Sequence, residues 1–210
     1  MRVRPLTPQA LADHLAEVAV ARVPAHGRLR FAVDGAAAAE PGALADLMVD
    51  PIRAAGHPVQ RVSADDFLKP ASVRLEHGRQ DADAFYWSWL DEKGLVREVL
   101  EPAGPGGTGR VLPSLWDAER DRASRAPYVE LPPGGVLLLD GPLLLGRGLP
   151  VDFTVHLSLS DAALARRTPD DERWTLPAYA RYRVECLPED AADLVVRWDD
   201  PRRPALVEEP

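Results

Sequence analysis

Apolar positions along this chain follow two rhythms, one helical and one extended. Leu11, Leu15 and Val18 recur at helical spacing with Asp13, His14 and Glu17 between them, and Thr7-Pro8 offers an N-cap followed by a first-turn proline. After a break at Pro24 to Gly27, the mostly apolar run Leu29 to Val33 predicts a first central strand. Ala43, Leu44, Leu47 and Met48 carry a second helix that Pro51 should bend or stop. Pro58 to Ser63 reads as a second strand, ending in Ala64-Asp65-Asp66-Phe67. A helix is expected within Ala84 to Leu100, packed through Phe85, Trp89, Val96 and Val99, and Gly104 to Gly109 is a loop by composition. Arg110 to Val129 suggests a hairpin-like insertion around the charged turn Asp117 to Arg125. Val136 to Asp140, Phe153 to Leu159 and Leu194 to Trp198 are further strands, Asp161 to Arg167 and Leu176 to Cys186 further helices, and the tail from Pro201 is expected to be loose. Strands separated by helices predict a doubly wound parallel α/β sheet, and no repeat or long linker divides residues 1–210.

The first strand runs into Gly35-Ala36-Ala37-Ala38-Ala39-Glu40-Pro41-Gly42 and then a helix. Strand, small-residue loop and helix are the layout of a phosphate-binding loop, G-x-x-x-x-G-K-[ST]. Gly35 stands at the first glycine, but Glu40, Pro41 and Gly42 replace the second glycine, the lysine and the hydroxyl. Such a loop holds phosphates through backbone N–H groups, a helix N-terminus and the lysine. At about 5 Å and an effective dielectric of about 20, one unit charge pair is worth roughly 3 kcal/mol. Losing the lysine and gaining Glu40 therefore weakens a triphosphate by up to about 6 kcal/mol. Glu40-Pro41 equally suits the plain start of a helix, with proline at its first position and an acid near the dipole.

Composition narrows the partners. The net charge of -8, with no basic stripe, argues against nucleic acid. One cysteine, Cys186, rules out an intrachain disulfide and suits a reducing cytoplasm. Met1-Arg2-Val3-Arg4-Pro5 lacks the apolar run of a signal peptide, and no segment approaches the length of a membrane span. Oligomeric state is not legible.

In parallel α/β sheets ligands bind beyond the carboxyl ends of the strands. Three predicted strand ends carry acids, Asp34, Asp65 with Asp66, and Asp140, which could hold a magnesium ion or accept a proton from a hydroxyl. A serine-hydrolase elbow and a dinucleotide-binding glycine pattern are both absent. His77 has no histidine or cysteine neighbour that would make a zinc site.

The order of Val33-Asp34-Gly35, Asp65-Asp66-Phe67, Asp83-Ala84-Phe85-Tyr86, Leu139-Asp140-Gly141 and Ala165-Arg166-Arg167 resembles the uridine kinase family of P-loop nucleoside kinases, over roughly Leu29 to Asp200. The resemblance implies a five-stranded parallel core, an ATP site with Mg2+ at the loop beginning at Gly35, and a nucleoside pocket over the sheet edge. It implies Asp65 as general base, Asp140-Gly141 as the acid-glycine pair of the third core strand, and Arg166 and Arg167 as the start of an arginine-bearing lid. An insertion at about 68–131 would form the acceptor pocket. Asp65, Arg74, Glu76, His77, Asp81, Tyr86, Arg110, Trp116, Asp117, Arg122 and Arg125 offer groups for a sugar or base, although Arg122 and Arg125 could instead pair with Asp117 and Glu119.

Two departures set the functional alternatives. The loop lacks its phosphate-holding residues, and Thr168-Pro169-Asp170-Asp171-Glu172-Arg173 places three acids in a shortened lid. Either the chain is a divergent phosphotransferase, or it is a pseudokinase that binds a nucleoside-like ligand or a protein partner. In the first case Asp140 or Asp34 holds magnesium, and Arg166, Arg167 or Arg110 replaces the lysine.

Overall fold

Two runs without an exposed residue, Leu29–Gly35 and Val136–Gly141, lie side by side as parallel strands. The computed structural model that shows this describes residues 2–208. Its elements in the first half are β1 (Arg2–Pro5), α1 (Pro8–Val20), β2 (Leu29–Gly35), α2 (Pro41–Ala54), β3 (Val59–Ser63), α3 (Ala71–Arg74), α4 (Ala82–Ser88), α5 (Glu92–Leu95) and α6 (Glu101–Ala103). The second half contains β4 (Arg110–Val111), β5 (Trp116–Asp117), β6 (Arg122–Ala123), β7 (Val129–Glu130), β8 (Val136–Gly141), β9 (Phe153–Ser158), α7 (Asp161–Arg167), α8 (Leu176–Cys186), α9 (Pro188–Ala191), β10 (Leu194–Arg197) and β11 (Ala205–Glu208).

The main sheet has the order β1-β11-β10-β9-β2-β8-β3. Its core, β10-β9-β2-β8-β3, is parallel throughout. Phe31, Val33, Val136 and Leu138 pack with Leu11, Leu15, Leu44, Met48 and Tyr182 of the helices on one face. Ala32, Val62, Leu137 and Leu139 point the other way, onto Phe67, Leu95, Val99 and Leu100. The period-two alternation thus gives each face its own apolar layer, which is what double winding requires.

Five strands were the expectation, and the main sheet contains seven. The extra pair is terminal: β11 runs antiparallel to β10, and β1 antiparallel to β11. The tail expected to be loose is therefore a strand, held where Leu206 inserts into the core at 2% exposure. The strand follows Pro201-Arg202-Arg203-Pro204, a charged, proline-flanked stretch that reads as loop and hides it.

Two helix expectations also change in detail. Pro51 sits inside α2 without ending it, because the carbonyl its ring cannot bond belongs to Leu47, on an exposed turn open to water. The helix expected within Ala84 to Leu100 is divided: α4 stops, and Asp91 starts α5 by accepting a hydrogen bond from the Gly94 amide at 2.9 Å. A π turn at Val96–Leu100 then leads into α6. Thr7 caps α1 as expected, accepting from the Ala10 amide at 3.2 Å. Between β3 and β8 the chain forms α3 to α6 and two small antiparallel ladders, β4–β7 and β5–β6.

Candidate functional site

Parallel pairing brings the carboxyl ends of β2, β3 and β8 to one edge, so the segments after Gly35, Ser63 and Gly141 meet there. The loop after β2 is a tight 3-10 turn over Ala37–Ala39. Its amides are largely engaged within the protein. Ala39 N–H donates to the Ala36 carbonyl at 2.7 Å, Glu40 N–H to the Ala37 carbonyl at 2.9 Å, and Ala37 N–H to the Tyr179 hydroxyl at 3.1 Å. Burial raises the pKa of Tyr179, with Asp65, Asp34 and Glu172 adding to it, so the cap is a neutral hydroxyl. Glu40 stands at the second glycine of the loop pattern with φ 53° and ψ 53°, the left-handed region that favours glycine. It is exposed and makes no side-chain cap, and Pro41 starts α2 behind it. The plain helix-start reading of Glu40-Pro41 therefore describes this backbone.

A cation does stand over the loop, and it comes from β3. Arg61 donates through Nε to Asp140 Oδ1 at 2.7 Å and through a terminal nitrogen to Asp140 Oδ2 at 3.1 Å. Its other terminal nitrogen lies 3.1 Å from Asp46 Oδ1 on α2. A Cβ added at Gly42 would come within 2.4 Å of the guanidinium and 3.0 Å of Asp140 Oδ2. Arg61 thus fills the space beside the position where the pattern has its hydroxyl. Burial alone would lower the Arg61 pKa, but the hydrogen bond and charge of Asp140, followed by Asp46 and Asp66, raise it above its ordinary value. Asp140 is 2% exposed, and burial pushes its pKa up against the opposing pull of Arg61 and Ser63. The adjacent Gly141 allows close packing, since a Cβ there would sit 2.6 Å from that of Ala64.

Asp34 lies elsewhere, fully buried beneath the loop. Its Oδ1 accepts from the Leu144 amide at 2.8 Å, and its Oδ2 meets His156 Nδ1 at 2.6 Å and accepts from the Tyr182 hydroxyl at 3.0 Å. Asp34 and Asp140 are thus held by separate partners, and among the described residues no cluster of three or more His, Cys, Asp or Glu could hold a metal ion.

Asp65 follows β3 in a 3-10 turn over Ala64–Phe67. It stands where two cavities adjoin. A polar cleft of about 730 Å³ is lined by Ser63, Asp65, Asp66, Trp116, Arg122 and Arg125, among others. A small apolar pocket of about 80 Å³ is lined by Asp65 with Leu68, Phe85, Trp89, Leu90 and Leu143. Its carboxylate is open to solvent on one side, yet the surrounding protein strips enough water to raise its pKa. Asp66 and Glu172 add repulsion, and Arg61 opposes them. A carboxylate moved toward neutrality is suited to accept a hydrogen bond or a proton from a hydroxyl.

The remaining expected residues are scattered. Trp116 reaches the cleft, with its indole N–H donating to Asp121 at 3.1 Å. Tyr86 lines a separate cavity with Trp87, Arg147 and Cys186, and its hydroxyl donates to Glu185 at 3.1 Å. Arg74 is buried as a clip, donating to the Lys69 carbonyl at 2.6 Å with its guanidinium 5.1 Å from the Trp89 ring centre. Asp81 caps α4 by accepting from the Ala84 amide at 2.7 Å, and Glu76 and His77 are exposed. Arg110 lies over the Tyr128 ring at 4.5 Å. Arg166 is exposed at the end of α7, and Arg167 donates to the Trp198 carbonyl at 2.9 Å. The hairpin ion pair belongs to Arg120, 2.9 Å from Asp117, and not to Arg122 or Arg125.

Arg61 and Tyr179 are the residues that sequence reasoning passed over. Arg61 had a signal, since a charged residue inside a predicted strand needs a partner. Tyr179 had none, because the amide it meets is 142 positions away in the chain.

No family model matches the sequence, and no curated protein matches it. Solved structures do match. A possible uridine kinase from Bacillus stearothermophilus is 20% identical, covers 89% of this chain and 97% of its own, and superposes with a TM-score of 0.71. A candidate fructose transport system kinase from Silicibacter sp. TM1040 is 22% identical, with 89% and 95% covered and a TM-score of 0.63. The YGR205w protein is 10% identical, with 97% and 100% covered and a TM-score of 0.62. The chain has the α/β fold of P-loop kinases.

Proposed function

We propose that this chain keeps the acceptor half of a small-molecule kinase and has lost its phosphoryl-donor half. The observation that carries the reading is Arg61, held by Asp140 and Asp46 over Gly42. Mg2+ and ATP do not fit the residues present. The lysine is missing, the Ala37 amide already donates to Tyr179, Asp140 is engaged by Arg61, and Asp34 is buried among three partners. Glu40, Glu172, Asp65 and Asp66 add negative charge around the loop, which repels a polyphosphate.

The acceptor side is open. Asp65 receives a hydroxyl of the ligand, the small apolar pocket takes a compact nonpolar part, and the polar cleft takes the rest. The segment at about 68–131 serves as the acceptor-site insertion. Two structural neighbours are named for uridine and fructose, both hydroxylated molecules, which makes a nucleoside-like or sugar-like molecule the class to test. A cytoplasmic setting belongs to this reading, consistent with a lone cysteine and with no described helix long and apolar enough to cross a membrane.

A second reading draws on the same arginine. If Arg61 released Asp140 it could serve as the loop cation, and Asp65, with its raised pKa, as the base of a phosphoryl transfer. One experiment separates the two: incubation with Mg-ATP and a panel of nucleosides and sugars, following ADP release and ligand binding in parallel. The expected result is binding of a hydroxylated ligand that Asp65→Asn weakens, with ADP release no faster than background. Ligand-dependent ADP release that is lost in Arg61→Met would establish the second reading instead.

A further inference from the structure

The wall of the polar cleft opposite Asp65 is a hairpin, β5–β6, with three arginines in or beside it. The hairpin is anchored to the body of the protein. Leu115 N–H donates to the Asp66 carbonyl at 3.0 Å, and Asp121 accepts from the Ala71 amide at 2.7 Å and the Trp116 indole at 3.1 Å. Arg120 is occupied by Asp117. Arg122 and Arg125 form no ion pair or hydrogen bond through their guanidinium groups among the described residues, and Arg122 interacts with Asp117 only at longer range. Arg125 is held at φ 55°, a left-handed conformation that an arginine adopts only under constraint. The cleft therefore has the carboxylates of Asp65 and Asp66 on the β3 side and, on the hairpin side, two uncommitted guanidinium groups beside Glu119 and the Asp117–Arg120 pair.

We infer that the ligand is an anionic polyol, a small hydroxylated molecule bearing a phosphate or carboxylate, with a hydroxyl on Asp65 and its anion on Arg122 and Arg125. The inference rests on the acceptor-site reading above and narrows its substrate class. A neutral sugar would leave both arginines without a partner, whereas guanidinium groups favour planar or tetrahedral oxyanions through paired N–H donors.

The test is calorimetry with matched probes: ribose against ribose 5-phosphate, and glucose against gluconate. At least one anionic member should bind tenfold or more tightly than its neutral partner, and the pair that shows the effect tells phosphate from carboxylate. Arg122→Gln with Arg125→Gln should erase that preference while leaving the melting temperature unchanged. Arg202→Gln, on the surface away from the cleft, should leave it intact. Asp65→Asn should weaken both members of the pair. Equal affinity for both members, with binding still dependent on Asp65, would overturn the anion inference and leave the acceptor reading standing. Binding indifferent to Asp65→Asn, or no binding of any probe or of the nucleoside panel, would overturn both.

Discussion

Arg61 on β3 grips both carboxylate oxygens of Asp140 on β8, at 2.7 and 3.1 Å, and in doing so covers Gly42. The pair joins two strands that are neighbours in the sheet, so its geometry is fixed by the register in which Arg61 lies opposite Leu138 and Ser63 opposite Asp140. Asp140 is nearly inaccessible while Arg61 is partly open, so removing the arginine strands a buried charge.

Arg61→Met should therefore destabilise the fold by about 2–3 kcal/mol, toward the low end for a broken buried pair because one partner is partly hydrated. Combining it with Asp140→Asn should recover a good part of the loss. Urea unfolding of the two single variants and the double variant measures the coupling directly. Additive losses would mean that the two residues act independently.

Asp34 should behave as a structural residue. Asp34→Ala removes the acceptor of the Leu144 amide and of the Tyr182 hydroxyl and the partner of His156, all buried. A loss of about 3–5 kcal/mol is expected from urea unfolding. A loss below about 1 kcal/mol, accompanied by a loss of magnesium binding, would return Asp34 to a ligand role.

Asp65→Asn should have the opposite sign. The native carboxyl has a raised pKa, chiefly because the cleft strips its water and Asp66 lies beside it. A raised acid pKa means that the folded state binds the proton more readily, so ionisation costs stability as pH climbs through the window between the ordinary aspartate value and the folded one. Asparagine escapes that cost. The variant should be more stable than the parent at pH 7, and the difference should vanish once pH falls below about 3.9, where the unfolded carboxyl is protonated as well. Melting temperatures across pH 3–8 check this, and a variant less stable than the parent at pH 7 would contradict it.

The sequence exposed the parts of this molecule that rest on long periodic runs. Val136 to Asp140 could only be a buried strand, and Leu11 with Leu15 could only face a core, so the parallel centre of the sheet was legible. The terminal strands were not, because arginines and prolines interrupt or precede them and read as loop. At the site, the faulty loop chemistry of Glu40, Pro41 and Gly42 was visible residue by residue. What occupies the loop was not, because Arg61 and Tyr179 arrive from distant segments through sheet register and helix docking. Arg74 and Tyr86, read as possible ligand groups, are tied to Lys69 and Glu185 in contacts that spacing alone cannot reveal.

The central claim is that the donor half is closed, and Mg-ATP calorimetry at fixed magnesium and moderate salt tests it most directly. The parent protein should bind more weakly than about 1 mM, no better than about -4 kcal/mol. Because Arg61 occupies the space beside Gly42, rebuilding the loop requires Arg61→Ser together with Glu40→Gly, Pro41→Lys and Gly42→Thr. That variant should gain at least tenfold, about 1.4 kcal/mol. Binding of Mg-ATP by the parent in the range of tens of micromolar, with Arg61 and Tyr179 in place, would contradict the account.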